Sequence, residues 1–143
     1  MYRFLLFSFF VFFILSGCKD KKEHTFATGD IRGVTWQLSD IGDKQLTTDI
    51  KTTLIFGEDY KISGNTGCNN YFGTYTLMPY AEGFKVSNIG STRKMCPEEI
   101  MERENTYLEV LGKAVSIKFN DNKLEIDSDA KISSIKFIPD KKQ

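Results

Sequence analysis

Most of this chain alternates short strand-like segments with turn signals, and this pattern limits the fold more than any other feature. Val34, Trp36 and Leu38 alternate with polar residues, as in a strand with one buried face. Asp121-Asn122 separates two such segments and is a hairpin signal. Further segments rich in β-branched and aromatic residues lie at 52–56, 60–63, 72–77, 84–89, 115–119, 124–126 and 135–137.

Residues 97–112 have helical character instead. Pro97 suits the first position of a helix, Glu98 and Glu99 suit the positive end of the helix dipole, and Gly112 is a stop signal. One apolar face is formed by Ile100, Tyr107, Leu108 and Leu111. Strands that come in runs predict an α+β fold: an antiparallel sheet or partly closed meander of about seven or eight short strands, with the helix packed on it.

The N-terminus resembles the signal peptide of a bacterial lipoprotein. A positive Arg3 precedes an apolar run, which ends at Leu15-Ser16-Gly17-Cys18. The run is roughly a dozen residues, whereas a membrane span needs about 20. We therefore expect residues 1–17 to be removed and Cys18 to carry lipid, which anchors the protein to the cell envelope, at the outer membrane. The alternatives are a transmembrane helix or an ordinary cleaved signal peptide.

Residues 18–32 are polar and poor in apolar side chains, and we interpret them as a flexible tether before one domain at residues 33–139. The chain has a formal charge of zero, so removing Arg3 with the signal leaves about one negative charge. The sequence has no excess of basic residues of the kind that would indicate nucleic-acid binding. The single histidine, His24, lies in the tether, which excludes a catalytic triad, and zinc would need more ligands than this chain offers. We expect a monomer without a cofactor.

With Cys18 assigned to lipid, Cys68 and Cys96 remain. A pair of cysteines in an exported protein favours a disulfide. Neither residue belongs to a C-x-x-C motif, so a thioredoxin-like redox role has no support. The alternative is two buried free thiols.

Several motifs resemble the META domain family, which includes the HslJ-like heat-shock lipoproteins. They are Gly67-Cys68-Asn69-Asn70, Gly73-Thr74-Tyr75, Ser91-Thr92-Arg93-Lys94-Met95-Cys96-Pro97 and Met101-Glu102-Arg103-Glu104 followed by Tyr107-Leu108. Trp36 matches the tryptophan that usually opens the domain, and the resemblance covers residues 33–137. Two small departures are Lys94, between Arg93 and Met95, and Tyr107, where phenylalanine is frequent.

The resemblance implies a compact α+β domain, often anchored on the outside of bacteria and linked by name to stress; it implies no catalytic residues. We therefore expect a non-enzymatic envelope lipoprotein that binds or stabilises envelope components. The alternative is a carrier of a small apolar or anionic ligand, in a pocket between sheet and helix. Asn69 and Asn70 are good turn formers, with ligand binding as the alternative.

Glu104 lies near the centre of the apolar face of the helix, between Ile100 and Leu108. Burying a carboxylate without partners costs several kcal/mol, so we expect a matching donor. Arg93 is the predicted partner, in a buried polar link that holds the preceding loop against the helix, with Thr92 or backbone N–H groups supplying further donors. There are two alternatives. Arg93 and Lys94 could form a basic clamp for an anionic ligand, or the helix could be rotated so that Glu104 is exposed.

Overall fold

The computed structural model describes residues 31–47, 49–78 and 83–140, which form nine strands and one helix. The predicted signal peptide, Cys18 and most of the predicted tether lie outside these residues. In chain order the elements are β1 (Thr35–Ile41), β2 (Lys44–Gln45), β3 (Thr53–Phe56), β4 (Lys61–Asn65), β5 (Asn70–Met78), β6 (Gly83–Ser91), α1 (Glu98–Gly112), β7 (Ala114–Asn120), β8 (Lys123–Ser128) and β9 (Ser134–Pro139).

The sheet closes on itself. From β3 onward each strand pairs antiparallel with the next along the chain, and β1 pairs with both β3 and β9. The β1–β9 pairing runs from Trp36 opposite Pro139 to Ile41 opposite Ile135. The result is a closed barrel of eight strands, to which β2 adds a short hairpin on β1. The predicted antiparallel sheet is therefore confirmed, but the partly closed form is wrong, because the last strand returns to the first.

The helix begins at Glu98, one residue after the predicted start, and ends at Gly112. It packs against β6, β8 and β9 and lies beside the turn between β4 and β5. Its buried side chains include Tyr107, Val110 and Leu111. The predicted apolar face is thus the packed face, although Ile100 and Leu108 are only half-buried.

Aromatic side chains occupy the barrel interior. Phe56 packs edge-on against both Tyr75 and Phe84, and Tyr107 of the helix packs edge-on against Phe137 of β9. Such edge-to-face pairs contribute beyond the area they bury. The largest side chains that are almost fully buried are Trp36, Tyr71, Tyr107, Phe56, Phe84 and Phe137.

The packed domain begins earlier than predicted. Ile31 is fully buried, and its carbonyl accepts a hydrogen bond from Trp36 Nε1 at 3.1 Å. The backbone of Arg32 forms an isolated parallel β-bridge with that of Phe56. The predicted tether over residues 18–32 is therefore wrong at its C-terminal end. A single apolar residue beside polar ones gives no periodic signal, which explains the error.

Candidate functional site

The turn between β4 and β5, the segment after β6 and the helix meet at one place. A disulfide between Cys68 of the turn and Cys96 of the segment joins the first two, with Cα atoms 6.1 Å apart. The predicted disulfide is therefore present in the structure. Because Cys96 lies just before Pro97 and the helix, the bond also fixes where the helix begins.

Asn69 connects the same three elements through its side chain, which is 2% exposed. Its Oδ1 accepts hydrogen bonds from the Thr92 hydroxyl at 2.8 Å and from the backbone N–H of Lys94 at 2.7 Å. Its Nδ2 donates to the two carboxyl oxygens of Glu104, at 3.0 and 3.1 Å. A single amide thus holds the segment after β6 on one side and the helix on the other.

Thr66 completes this network. Its hydroxyl donates to the Glu104 carboxyl group and accepts a hydrogen bond from the backbone N–H of Asn69 at 2.9 Å. The Thr52 hydroxyl donates to the backbone carbonyl of Thr66 at 3.0 Å, which ties the turn to the chain before β3. We call Thr66, Asn69, Thr92, Glu104 and the Cys68–Cys96 disulfide the motif clasp.

The prediction that Glu104 is buried is confirmed, because only 8% of its surface is exposed. The prediction of Arg93 as its partner is wrong. Arg93 is exposed, and the side-chain donors to Glu104 are the amide of Asn69 and the hydroxyl of Thr66. Thr92 acts on Glu104 only indirectly, because its hydroxyl donates to the Asn69 side chain. Neutral donors bury with a smaller desolvation penalty than a guanidinium, so a cation is not required.

Gly67 occupies a backbone conformation that favours glycine, with φ of +97°. A Cβ atom there would lie 2.3 Å from Cγ2 of Ile50, so any side chain would force the neighbouring loop to move. The Asn65 side chain accepts from the Gly67 N–H at 2.7 Å and donates to Asn70 at 2.8 Å. Asn70 therefore shapes the turn, as predicted, together with Gly67, whereas Asn69 does more than form a turn.

Arg103 lies beside the motif clasp and had no role assigned from the sequence. Its Nη2 would be 3.0 Å from a Cβ atom at Gly67, so the guanidinium packs closely on the turn. Burial lowers the pKa of Arg103 below its ordinary value, and Glu99 opposes this shift. Its Nε and Nη2 atoms are buried, and no group among the described residues forms a hydrogen bond with them.

Below the motif clasp, two tyrosines link the helix to the barrel wall. The hydroxyls of Tyr71 and Tyr107 are 2.6 Å apart, and the Tyr71 hydroxyl donates to the carbonyl of Thr53 at 2.9 Å. Tyr107 therefore donates to Tyr71. Burial raises the pKa of both phenols above the ordinary value, because the interior disfavours the phenolate.

These shifts predict a loss of stability at high pH. An unfolded tyrosine ionises near pH 10, whereas the folded pair stays protonated, so its contribution is complete below about pH 10 and falls above it. Tyr107→Phe removes one such proton and should make the unfolding free energy less steep in pH above 10, by up to about 1.4 kcal/mol per pH unit. Urea melts from pH 8 to 12 measure the slope. Tyr60→Phe, at a site 56% exposed, is the control and should keep the wild-type slope.

The polar side chains of this region connect the turn, the segment after β6 and the helix to one another. Amide, hydroxyl and carboxyl groups of the motif clasp bond one another, and the disulfide uses both cysteines. Within the described ranges, no group of three or more His, Cys, Asp or Glu residues has the arrangement of a metal site. Those ranges also contain no helix that is long and apolar enough to cross a membrane.

A closed antiparallel barrel with one helix, fastened by the motif clasp, is the architecture that this chain defines. A family model described as the META domain matches residues 29–142, and the chain belongs to the META domain family. The predicted resemblance is therefore confirmed over almost the whole described domain. A comparison with curated proteins found no match.

Solved structures share the fold at low sequence identity. One NMR structure is 22% identical with a TM-score of 0.64, covering 79% of this chain and 94% of its own. An NMR structure of a protein from Burkholderia xenovorans is 21% identical with a TM-score of 0.62, covering 81% and 88%. A crystal structure of a duf4847 family protein from Bacteroides vulgatus is 16% identical with a TM-score of 0.63, covering 82% and 100%. These likenesses concern the fold alone.

Proposed function

We propose that this protein is a non-enzymatic, lipid-anchored component of the bacterial envelope that binds or stabilises other envelope components, with a role in stress. One observation carries the proposal: the polar side chains of the motif clasp, which include Asn69, Thr92 and Glu104 of the family motifs, bond one another. The Asn69 amide donates to Glu104 and accepts hydrogen bonds from Thr92 and Lys94. The Glu104 carboxyl group accepts hydrogen bonds from Asn69 and Thr66. Groups engaged in this way hold the fold together and are not presented to a substrate.

The barrel interior supports this proposal over a carrier of small ligands. Tyr107 enters from the helix and contacts Tyr71 and Phe137, and Trp36 of β1 contacts Phe119 of β7. These rings take the space between sheet and helix that a bound ligand would need. Binding is therefore assigned to the outer surface of the domain.

Anchoring depends on Cys18, which lies outside the described residues. Replacing Cys18 by serine should abolish fatty-acid labelling and signal-peptide removal, because the hydroxyl does not replace the thiol that accepts the lipid. Growth with labelled palmitate, followed by membrane fractionation, measures both effects. Ser16→Ala keeps a small residue before the cleavage site and is the matched control, which should label normally. Unchanged labelling of Cys18→Ser would refute the lipoprotein assignment.

The binding role is tested by crosslinking in native envelopes. Anchored wild-type protein should yield a reproducible set of crosslinked envelope components, and this set should increase or change under heat stress. The Cys18→Ser protein is the comparison, because it keeps the domain but lacks the lipid. Identical crosslinks from both forms, or none from either, would contradict an envelope-binding function.

A further inference from the structure

The outer wall of the barrel exposes a phenylalanine at an unusual position. Phe72 of β5 is 64% exposed and lies opposite Gly90 of β6. A Cβ atom at Gly90 would come within 2.6 to 3.2 Å of three ring carbons of Phe72, so the ring rests on the glycine backbone. The neighbouring strand thus fixes this ring while most of its surface remains open to solvent.

A groove lies beside the ring because the two strands are out of regular register. Phe72 pairs with Gly90 but Thr74 pairs with Ser87, so β6 carries an additional residue opposite Gly73. Asn88 in this β-bulge has a φ of +55°. Bulges re-aim side chains and often lie next to binding sites. The groove has a volume of about 370 Å³, and the residues that line it include Lys61, Ser63, Phe72, Thr74 and Asn88.

The lining and its surroundings exclude several classes of ligand. At the groove, β4 pairs with β3 and β5, and β5 pairs with β4 and β6, so neither strand offers an edge there to an added peptide strand. Of the described residues in the lining, Lys61 alone is charged, which is too little for a polyanion such as nucleic acid. The groove lies on the outer face of three strands, where an acyl chain would stay largely in water.

The remaining polar groups suit a neutral, hydroxyl-rich ligand. Asn88 Nδ2 donates to the Thr74 hydroxyl at 3.2 Å, and that hydroxyl donates to the Ser87 carbonyl at 3.3 Å. These bonds leave the Asn88 side-chain oxygen available as an acceptor. Ser63 and Lys61 also line the groove and carry a hydroxyl and an ammonium group that can donate hydrogen bonds. Such a rim around an aromatic ring matches the two characters of a sugar, an apolar C–H face and a ring of hydroxyl groups.

We propose that this groove binds a sugar ring of an envelope glycan, with the C–H face of the sugar on Phe72 and its hydroxyls on Asn88, Ser63 and Lys61. The inference rests on the proposed function, since it names the chemical class of envelope component that the domain binds. It also gives a purpose to the bulge opposite Gly73, which widens the outer wall at this point.

The test is a titration of the ¹⁵N-labelled full chain in detergent micelles with two probes, the trimer of N-acetylglucosamine and the trimer of glucose. At least one should shift amide signals at residues 61–63, 72–74 and 87–89 and leave the motif clasp unchanged. Phe72→Ala should weaken binding about tenfold or more, because it removes the stacking surface. Ile138→Ala removes another exposed apolar side chain, 39% exposed on β9, and should bind as the wild type does.

Three results would overturn the proposal. The first is no shift from either trimer at concentrations of about 10 mM, which corresponds to less than about 3 kcal/mol of binding. The second is binding that Phe72→Ala leaves unchanged. The third is a shift of the same amides with protein concentration alone, which would assign the groove to a second copy of the chain. None of these results affects palmitate labelling or envelope crosslinking, so the glycan proposal fails separately from the proposed function.

Discussion

Replacing Glu104 by alanine is expected to lower the free energy of unfolding by about 3 kcal/mol. The substitution removes the carboxyl group that accepts from the Asn69 amide at 3.0 and 3.1 Å. It leaves that amide, 2% exposed, with only the longer contacts to Cys68 Sγ at 3.4 Å and the Lys94 carbonyl at 3.5 Å. An unsatisfied buried donor costs about 1–3 kcal/mol, and the lost side chain leaves a space beside Thr66 that adds to the cost. Denaturant unfolding monitored by circular dichroism, with an unchanged slope, measures the loss.

Two further variants isolate the buried hydrogen bonds. Glu102→Ala lies on the same helix at an exposed position and should change stability by no more than about 0.5 kcal/mol. Glu104→Gln keeps the shape but turns an amide donor toward the Asn69 amide, so it should fall between the wild type and Glu104→Ala. A Glu104→Ala protein as stable as the Glu102→Ala control would show that the buried carboxyl contributes nothing.

Removing the disulfide from the wild-type protein is expected to lower the free energy of unfolding by about 3 to 4 kcal/mol. Cys68 and Cys96 are 28 residues apart, and a bond across a loop of this size restricts the unfolded chain accordingly. The double variant Cys68→Ser/Cys96→Ser should therefore unfold at lower denaturant concentration. It should still fold, because Asn69 continues to hold the Lys94 backbone.

Reductant provides the matched comparison. Reduced wild type should approach the stability of the double variant, and reductant should have no effect on the double variant itself. Intact mass with thiol labelling verifies the bond before each melt. Two titratable thiols in the unreduced domain would show that the bond does not form, and equal stability with and without the bond would contradict its role in the motif clasp.

Local sequence patterns predict most of the secondary structure of this fold. All eight barrel strands coincide with segments that the period-two alternation and turn signals predict, and the helix starts within one residue of its prediction. Barrel closure escaped prediction because it depends on β9 returning to β1, a pairing between residues about one hundred positions apart. The short β2 escaped because two exposed residues, Lys44 and Gln45, carry no alternation.

The candidate site divides in the same way. The helical period alone indicates that Glu104 faces the core, and the cysteine count alone indicates the disulfide. The partner of Glu104 is decided by tertiary geometry, and Asn69 in a Gly-Cys-Asn-Asn sequence has the composition of an ordinary turn. Arg93 has the right charge, but it lies on the exposed side of the segment that Asn69 holds by its backbone.

The most direct test of the account is a double-mutant cycle between Asn69 and Glu104, with Asn69→Ala, Glu104→Ala and the double variant unfolded under the same conditions. If these side chains form the centre of a structural clasp, the double variant should lose less stability than the two single variants combined, with an interaction of at least about 1 kcal/mol. Losses that add without any interaction would contradict the clasp, and with it the conclusion that the family motifs serve the fold.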